Sequence, residues 1–449
     1  MRLALLTVES NALDLSALQA EGLVAAGSSS PEASKATSTG TSNGTDENLS
    51  VQSYCPSTPE EVAEIVAAAA TDEASLLVTG AGTRMHWANP MQRVAAGLSL
   101  SGLSGVTEFE PDEGVLKALA GTTIAEIQAR AAEEGWELPL DPPLPGTSTV
   151  GGTIASAATG PRAHLLGSVS DAILGLDLVS AEGVASKCGG RVVKNVTGYD
   201  LAKLHCGAFG TLGVITSAWL RLRPRPESMK TLEATLPISP ENFALCRKLA
   251  KQKSVRAFVW AESGESGESR PSEAKIAIEW GGSSEGVDHD QSEAQAALSG
   301  LPGVSGSGSL LLREADPSIV DTLRDQRAQV DEGSDAGVVL RARVLGTRAF
   351  EMTRSLAEAG LSVSVDVGLG VVDARGELAG ASALLELRRV AEEFSGHLFV
   401  ESMPGSWRGE VDAFGAAAGT SVLMETLKKR FDPGLLLNPG RFVTGDADK

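Results

Sequence analysis

The sequence predicts a mixed α+β protein with two folded parts. Its 449 residues allow two or three domains. Glycine is concentrated in one stretch, since 13 of the 50 glycines fall within residues 146–213. After Pro224 and Pro226 the pattern changes to shorter amphipathic segments, separated by acidic stretches rich in Ser and Gly. These observations indicate a glycine-rich first domain and a second α+β domain.

The start of the chain differs in composition from the part that follows. Residues 1–50 form an N-terminal segment, and 27–50 are nearly all Ser, Thr, Gly, Asn and acidic residues, so we expect a disordered linker there. Folded character begins at about residue 51. The run Thr58-Pro59-Glu60-Glu61 predicts a helix start with Thr58 as N-cap and Glu61 completing a capping box.

Apolar runs and turn residues predict the remaining elements in order. In the first domain they are a buried strand at 76–79, a strand at 115–120, a helix at 124–134 ended by Gly135, and strands at 172–180 and 213–222. In the second domain they are amphipathic segments at 258–262, 276–280, 338–344 and 397–401, a helix at 381–394, and solvated loops at 263–274 and 281–292.

Charge and cysteine usage exclude several classes of function. With 38 basic and 58 acidic residues the chain carries a formal charge of −20, which argues against binding to nucleic acid or to an anionic membrane. The four cysteines form no CxxC pair, so we expect no iron–sulfur or zinc site. No apolar run has the length of a membrane span. The apolar start of the sequence reaches Glu9 before it has the length of a signal peptide. We therefore expect a cytoplasmic protein, attached to a membrane only through partners.

Two glycine-rich turns are candidates for binding a phosphate group. Gly80-x-Gly82 follows a strand, but Met85 stands where a dinucleotide-binding GxGxxG motif has its third glycine, so a nicotinamide fold is not favoured. A plain strand-end turn is the alternative for this motif alone. The second turn, Pro145 to Gly152, is followed by small residues. Two such turns can offer backbone N–H groups to a pyrophosphate from both sides.

Further blocks accompany these turns and together resemble a known family. They are 167–175, the run from Val192 to Leu201 with 210–216, and the closing segment from Phe431 to Arg441. The chain resembles the FAD-binding fold of the p-cresol methylhydroxylase and vanillyl-alcohol oxidase family, and within it the FAD-binding E subunits of bacterial glycolate oxidases. The resemblance covers about residues 51–230 and 420–442.

The resemblance implies two α/β subdomains that hold FAD, plus an α+β cap domain with an antiparallel sheet. It implies an FAD-binding domain at 51–226, a cap at 227–425 and a C-terminal segment at 426–449 that returns to the FAD site. Non-covalent FAD is expected, because the first turn has Ala81, Thr83 and Arg84 and no histidine, and His86 is expected to pack at the loop edge. The implied FAD-binding residues are Gly80, Ala81, Gly82, Thr83, Arg84, Gly146, Thr149, Val150, Gly151, Gly152, Ser156, Gly160, Ser168, Val169, Asp171, Gly213, Val214 and Ile215.

Candidate side chains for the chemistry are few. Arg84, Arg162, Arg191 and Arg441 are candidates to pair with FAD phosphates or a substrate carboxylate, and a structural role is as plausible for each one alone. Lys194 and Tyr199 are candidates to face the flavin, with a helix-cap or core-edge role left open. The candidate catalytic residues are thus Arg84, Lys194, Tyr199 and Arg441.

Two departures from related D-2-hydroxy-acid enzymes set the functional expectation. The five histidines are isolated, so no metal site is expected, and Phe209 replaces the acid of a GSEGTLG segment. We expect an FAD-binding subunit of a glycolate-oxidase-like complex that oxidises a small 2-hydroxy acid, beside a sister flavoprotein subunit and an iron–sulfur subunit. The alternatives are a self-sufficient FAD-dependent oxidoreductase of another hydroxy acid or alcohol, and a non-catalytic scaffold subunit.

Overall fold

The structure is a computed structural model, and it describes residues 52–92, 94–191, 200–262, 272–301, 313–316, 318–328, 336–415 and 418–442. The predicted α+β class is confirmed, because helices and sheets are mixed in both lobes. The predicted linker at 27–50, the candidates Lys194 and Tyr199, and most of the loop expected at 263–274 lie outside the described residues.

The first lobe contains two sheets. Its strands are β1 (Gln52–Tyr54), β2 (Leu76–Thr79), β3 (Ala96–Ser99), β4 (Val106–Glu110), β5 (Val115–Leu119), β6 (Trp136–Glu137), β7 (Ile173–Val179), β8 (Ala185–Gly189), β9 (Val214–Arg221) and β10 (Arg223–Pro224). The parallel sheet has the order β1-β3-β2, and the antiparallel sheet has the order β4-β5-β9-β7-β8. The short strands β6 and β10 pair with each other.

The helices of the first lobe begin where the local sequence supplies caps. They are α1 (Pro59–Thr71), α2 (Ile124–Ala132), α3 (Val150–Ser156), α4 (Ala163–Leu166), α5 (Val169–Ala172) and α6 (Leu201–His205). The expected capping box of Thr58 and Glu61 is confirmed, and Thr123 with Glu126 forms a second one at α2. Each box satisfies N–H groups that the first helical turn leaves unpaired.

The second lobe is built on one eight-stranded antiparallel sheet. Its order is β14-β11-β13-β12-β16-β17-β15-β18. The strands are β11 (Ser228–Pro237), β12 (Val255–Glu262), β13 (Glu273–Gly282), β14 (Arg313–Glu314), β15 (Gly337–Arg343), β16 (Ser362–Asp366), β17 (Val371–Glu377) and β18 (His397–Ser402). The helices are α7 (Pro240–Leu249), α8 (Ser284–Ser299), α9 (Ser318–Asp325), α10 (Ala349–Glu358) and α11 (Ala381–Glu393), and α12 (Ala418–Phe431) follows this lobe.

The two faces of the large sheet have different partners. Ile276, Ile278 and Trp280 of β13 lie in the main core with residues of α7, α8, α10 and α11. Ala277 belongs to a smaller cluster with Val320 of α9 on the opposite face. Because side chains alternate along a strand, Glu279 shares the face of Ala277. This second face is turned toward the first lobe, since Glu279 contacts Arg162.

The loop predicted at 281–292 is wrong, because helix α8 begins at Ser284. The Ser283 side chain accepts a hydrogen bond from the Gly286 N–H and caps the helix. Val287, Ala294 and Leu298 are buried at a spacing that fits one helical face. The acidic, Ser-rich composition that suggested a loop belongs to the solvent face of this helix.

Candidate functional site

A cleft of about 760 Å³ opens where three segments of the chain meet. It lies between the loop after β2, the start of α3 and the C-terminal segment. Of the residues that the sequence predicted to bind FAD, the cleft is lined by Gly80, Ala81, Gly82, Thr83, Arg84, Thr149, Gly151, Gly152, Ser156, Gly213 and Ile215.

The loop after β2 provides the free hydrogen-bond donors of the cleft. Among the described residues, no acceptor lies within hydrogen-bonding distance of the N–H groups from Gly80 to Thr83. Gly82 has φ +73°, a left-handed conformation that favours glycine. A Cβ at Gly80 would overlap Thr149 Oγ1, so glycine also allows this loop to pack against α3. A turn of unpaired N–H groups is suited to bind phosphate oxygens.

The turn at the start of α3 provides shape rather than donors. The N–H of Val150 donates to Thr122 O, that of Gly151 to Ala120 O, and that of Gly152 to Thr149 Oγ1. Each of these three N–H groups already has a partner in the protein, so the predicted contact of this turn with a pyrophosphate stays a prediction. Gly151 is needed for packing, since a Cβ there would lie 2.8 Å from Ala120 Cβ.

The C-terminal segment closes one side of the cleft. The buried side chain of Asn438 accepts a hydrogen bond from Val78 N (2.7 Å) and donates to Phe209 O (2.8 Å) and Val78 O (3.2 Å). Arg441 donates to Met85 O (2.6 Å) and Arg84 O (2.9 Å), so its guanidinium holds the loop after β2 in place. Sequence reasoning selected Arg441 and passed over Asn438, although both stand in the same Asn-Pro-Gly-Arg run.

Other predicted residues lie beside the cleft or away from it. Gly160 and Ser168 line a second cavity, while Val150, Val169 and Val214 are core residues and Asp171 caps α5 with Ser168. Gly146 has open space around it and does not line the cleft. Arg191 forms exposed ion pairs with Glu110 and Glu113.

Arg162 joins the two lobes. Its guanidinium donates to Glu279 of β13 (Nη2–Oε2 2.7 Å) and to Asp321 of α9 (2.6 Å), and it also contacts Asp141 (3.3 Å). These carboxylates hold the pKa of Arg162 above its ordinary value although burial opposes this. Arg162 is therefore committed to the interface between lobes, and this geometry favours the structural role.

The second cavity, of about 980 Å³, lies between residues 159–168 of the first lobe and the sheet of the second. Four of its lining residues are arginines and two are aspartates, namely Arg324, Arg327, Arg341, Arg343, Asp366 and Asp373. Arg324 is paired with Asp141 and Asp325. Among the described residues, Arg343 has no carboxylate within 4.0 Å, so it faces this cavity as a free cation.

A buried polar cluster lies beside this cavity. The guanidinium groups of Arg84 and Arg327 each lie 5.6 Å from a ring centroid of Trp87. Arg327 is paired with Glu401 and lies 3.4 Å from Asp373. Burial lowers the pKa of Arg84 to about 10, helped by the neighbouring charge of Arg327. Burial also raises the pKa of Glu401.

This cluster carries more positive charge than its acids balance. Arg341 lies 3.1 Å from Asp373, and burial followed by the nearby Arg327 lowers its pKa to about 10. The three arginines 84, 327 and 341 thus face two carboxylates, Asp373 and Glu401. Arg84 Nε and Trp87 Nε1 are buried donors without a hydrogen-bond partner, whereas Nε of Arg327 and of Arg341 contact Asp373 Oδ1 as ion pairs. The excess of arginines over carboxylates, together with these two unpaired donors, marks a place where an anionic ligand fits.

The described residues offer one group of three potential metal ligands, His289, Asp290 and Glu293. Asp290 accepts hydrogen bonds from Ser254, and Glu293 accepts one from Gln252. The group is on α8, away from both cavities, and its carboxylates already have partners. Among the helices of the described chain, none is long and apolar enough to cross a membrane.

The residues of the cleft fit FAD. The unpaired N–H groups from Gly80 to Thr83 suit a pyrophosphate, and the glycines on both sides allow close approach of a large ligand. The cleft and the second cavity are close in sequence, since Ser156 lines the first and Thr159 and Gly160 line the second.

Comparison with known proteins agrees with this fit. Residues 53–189 match the family described as FAD binding domain, which confirms the FAD prediction. Glycolate oxidase subunit GlcE of Escherichia coli (strain K12) is 33% identical over 176 residues, which are 39% of this chain and 50% of that protein. D-lactate dehydrogenase of Archaeoglobus fulgidus is 33% identical over 236 residues, 49% of this chain and 52% of that protein. The chain therefore spans about half the length of the curated relatives it matches.

Solved structures show the same fold. 4-Ethylphenol oxidase from Gulosibacter chungangensis superposes with a TM-score of 0.65 at 17% identity, covering 87% of this chain and 88% of that one. p-Cresol methylhydroxylase gives a TM-score of 0.63 at 15% identity, covering 88% and 90%. The likeness extends over both lobes.

Proposed function

From an FAD-binding domain at residues 53–189 and the overall fold of the p-cresol methylhydroxylase and vanillyl-alcohol oxidase type, we propose that the chain takes part in oxidation of a small 2-hydroxy acid. The observation that carries the substrate class is the arginine-rich wall of the second cavity. Bound FAD would supply the two-electron acceptor for the substrate's carbinol carbon. The protein's own residues would position the acid.

Two arginines are placed to recognise a carboxylate. Arg341 and Arg343 are two residues apart on β15, so their side chains leave the same face of the sheet. Arg341 forms an ion pair with Asp373 and donates a hydrogen bond to Thr159 O (3.2 Å). Arg343 is exposed and forms no ion pair with a carboxylate of the described residues. Because a guanidinium matches a carboxylate with two parallel hydrogen bonds, we assign Arg343 the substrate contact and Arg341 its support.

The relatives favour a role within an assembly. One is a glycolate oxidase subunit, and others are D-lactate and D-2-hydroxyglutarate dehydrogenases. We propose glycolate or a close 2-hydroxy acid as substrate, with electrons passing to a partner, and with a sister flavoprotein subunit and an iron–sulfur subunit in the complex. This proposal is supported by the isolated histidines and the lack of a CxxC pair in the sequence.

Anaerobic reduction of the flavin tests the proposal. The protein loaded with FAD is mixed with glycolate, D-lactate or D-2-hydroxyglutarate, alone and with the candidate partner subunits, and bleaching of the flavin absorbance is followed. At least one acid is expected to bleach it, and a neutral alcohol of the same size is not. Bleaching by the isolated chain would favour a self-sufficient enzyme, and bleaching only with partners would favour the complex.

A matched pair of variants tests the carboxylate contact. Arg343→Gln is expected to raise the substrate concentration for half-maximal reduction about tenfold, because it removes a charge-assisted hydrogen bond. Arg389→Gln, which removes an exposed arginine of α11, is expected to leave it unchanged. The proposal fails if no hydroxy acid reduces the flavin in any mixture, or if a neutral alcohol does so equally well.

A further inference from the structure

A third cavity, which is also lined by charged residues and which we call the seam pocket, lies at the boundary between the lobes. It has a volume of about 760 Å³ and is lined by His164 of α4, by Arg247 at the end of α7, by Lys251 and Lys253 in the turn that follows, and by Gly368. The FAD cleft and the arginine-lined cavity share none of these residues. The seam pocket is therefore a separate place on the molecule.

The charge of the seam pocket is opposite to that of the chain. Residues 247–256 contain five basic residues and no acid, in a protein of net charge −20. Arg256 is committed to Glu137 and Glu279. Within the described part of the chain, no carboxylate lies within 4.0 Å of a charged nitrogen of Arg247, Lys251 or Lys253, and Arg247 Nε is buried without a hydrogen-bond partner.

Three carboxylates beside this pocket accept hydrogen bonds from uncharged groups. Asp290 accepts hydrogen bonds from the Ser254 side chain (2.5 Å) and backbone (3.1 Å), and Glu293 accepts one from Gln252 (3.2 Å). Asp366 accepts from the N–H groups of Gly368 and Leu369. None of these three carboxylates forms an ion pair with Arg247, Lys251 or Lys253.

The dipole of α7 explains only part of this arrangement. Cations are favoured in the last turn of a helix, which accounts for Arg247 and Lys248. Lys251 and Lys253 lie beyond the helix end, where the effect falls off. Arg247 also packs along Gly346, where a Cβ would lie 2.9 Å from its Nη2. A guanidinium that shares a pocket with two ammonium groups is an arrangement that binds a dianion.

One imidazole connects the seam pocket with the arginine-lined cavity. His164 lines the seam pocket and its Nε2 lies 2.8 Å from Ala250 O, so Nε2 carries the proton that is donated. Its Nδ1 lies 3.5 Å from Oδ1 of Asp366, and Asp366 lines the other cavity. His164 therefore lies between the seam pocket and a residue that lines the arginine-lined cavity.

We propose that the seam pocket binds the phosphate group of a small anion through Arg247, Lys251 and Lys253, with His164 at its inner end. The ligand is either inorganic phosphate or a small phosphate monoester, which share this chemistry. This site is independent of the proposed hydroxy-acid oxidation, because it uses none of the residues assigned to that reaction.

Isothermal titration calorimetry of the full-length FAD-loaded protein with inorganic phosphate, and separately with glycerol 3-phosphate, tests the site at constant ionic strength. Saturable binding is expected with one site per chain. Arg247→Gln is expected to weaken it about tenfold or more, as removal of a charge-assisted hydrogen bond does. Lys248→Gln removes the same charge from an exposed neighbour outside the pocket and is expected to bind as the wild type does.

Lys251→Gln serves as the second variant if Arg247→Gln lowers the yield of folded protein, with flavin content and circular dichroism as checks. Tighter binding of glycerol 3-phosphate than of phosphate would identify the monoester as the ligand, and the reverse would identify the free ion. Absence of saturable binding of both ligands would overturn the proposal. Equal weakening by Lys248→Gln would also overturn it, because binding would then depend on overall charge.

Discussion

Arg162 of the first lobe and Glu279 of the second form a buried ion pair across the interface, with 2.7 Å between Nη2 and Oε2. Glu279 also accepts from Arg256 (3.2 Å), which in turn binds Glu137 of the first lobe (2.8 Å). Charges from both lobes therefore alternate along one network. The network holds the second lobe against the segment 159–168, several residues of which line the proposed substrate cavity.

Glu279→Gln is expected to destabilise the protein strongly. Glu279 is fully buried, and its loss would remove the counter-charge that Arg162 and Arg256 share, although each keeps another carboxylate partner. Removing one partner of a buried pair costs about 3–5 kcal/mol when the other charge is left unpaired, so the expected loss here is about 3 kcal/mol. Urea unfolding, monitored by circular dichroism, measures the change in the free energy of unfolding. Glu386→Gln, at the exposed pair with Arg389, is the control and should change little. Equal effects of the two variants would contradict a special role for the network.

Gly151→Ala is expected to weaken FAD binding about tenfold or more. Its Cβ would lie 2.8 Å from Ala120 Cβ and 3.0 Å from Ala120 O, so α3 would have to move away from β5 and change the cleft. Overpacking of this kind costs about 1–3 kcal/mol. Gly146→Ala is the matched control from the same glycine-rich turn, because nothing lies within 4 Å of its Cβ position. The measurement is the flavin content of each purified variant. An equal loss of flavin in both variants would contradict the packing role assigned to Gly151.

The sequence predicted the helices and strands better than it predicted the hydrogen bonds and ion pairs of individual groups. Capping residues at Thr58 and the apolar runs at 76–79 and 115–120 specify local structure, so those elements were predicted almost to the residue. The hydrogen bonds of the Val150 to Gly152 amides depend on Ala120 and Thr122, which belong to another part of the chain. The commitment of Arg162 to Glu279 likewise depends on a partner 117 residues away. Composition and spacing carry no record of such contacts.

Asn438→Ala is expected to lower the free energy of unfolding by about 2–4 kcal/mol. The buried amide bonds three backbone groups at Val78 and Phe209, and groups left unpaired cost about 1–3 kcal/mol each in burial. Asn438 also has φ +44°, which disfavours alanine. Asn438→Gly removes the same hydrogen bonds but tolerates this backbone, so it should be less harmful than alanine. Denaturant unfolding of both variants is the measurement, and wild-type stability of either would contradict the bridging role of the amide.

Two histidines are expected to shape opposite sides of the stability–pH profile. Burial lowers the pKa of His205 to about 4, so the folded state resists a proton that the unfolded state takes up below about 6.5. The stability that this group contributes is full above pH 6.5 and is lost as the pH falls toward 4, by at most about 3 kcal/mol.

Burial opposes the charge on His164, but Asp366 and Ala250 O raise its pKa overall. Its contribution is therefore full below about pH 6.5 and is lost as the pH rises through the raised value. His205→Gln should flatten the acid side of the unfolding free energy measured from pH 4.5 to 8, and His164→Gln the alkaline side. Identical profiles for the two variants would contradict this division.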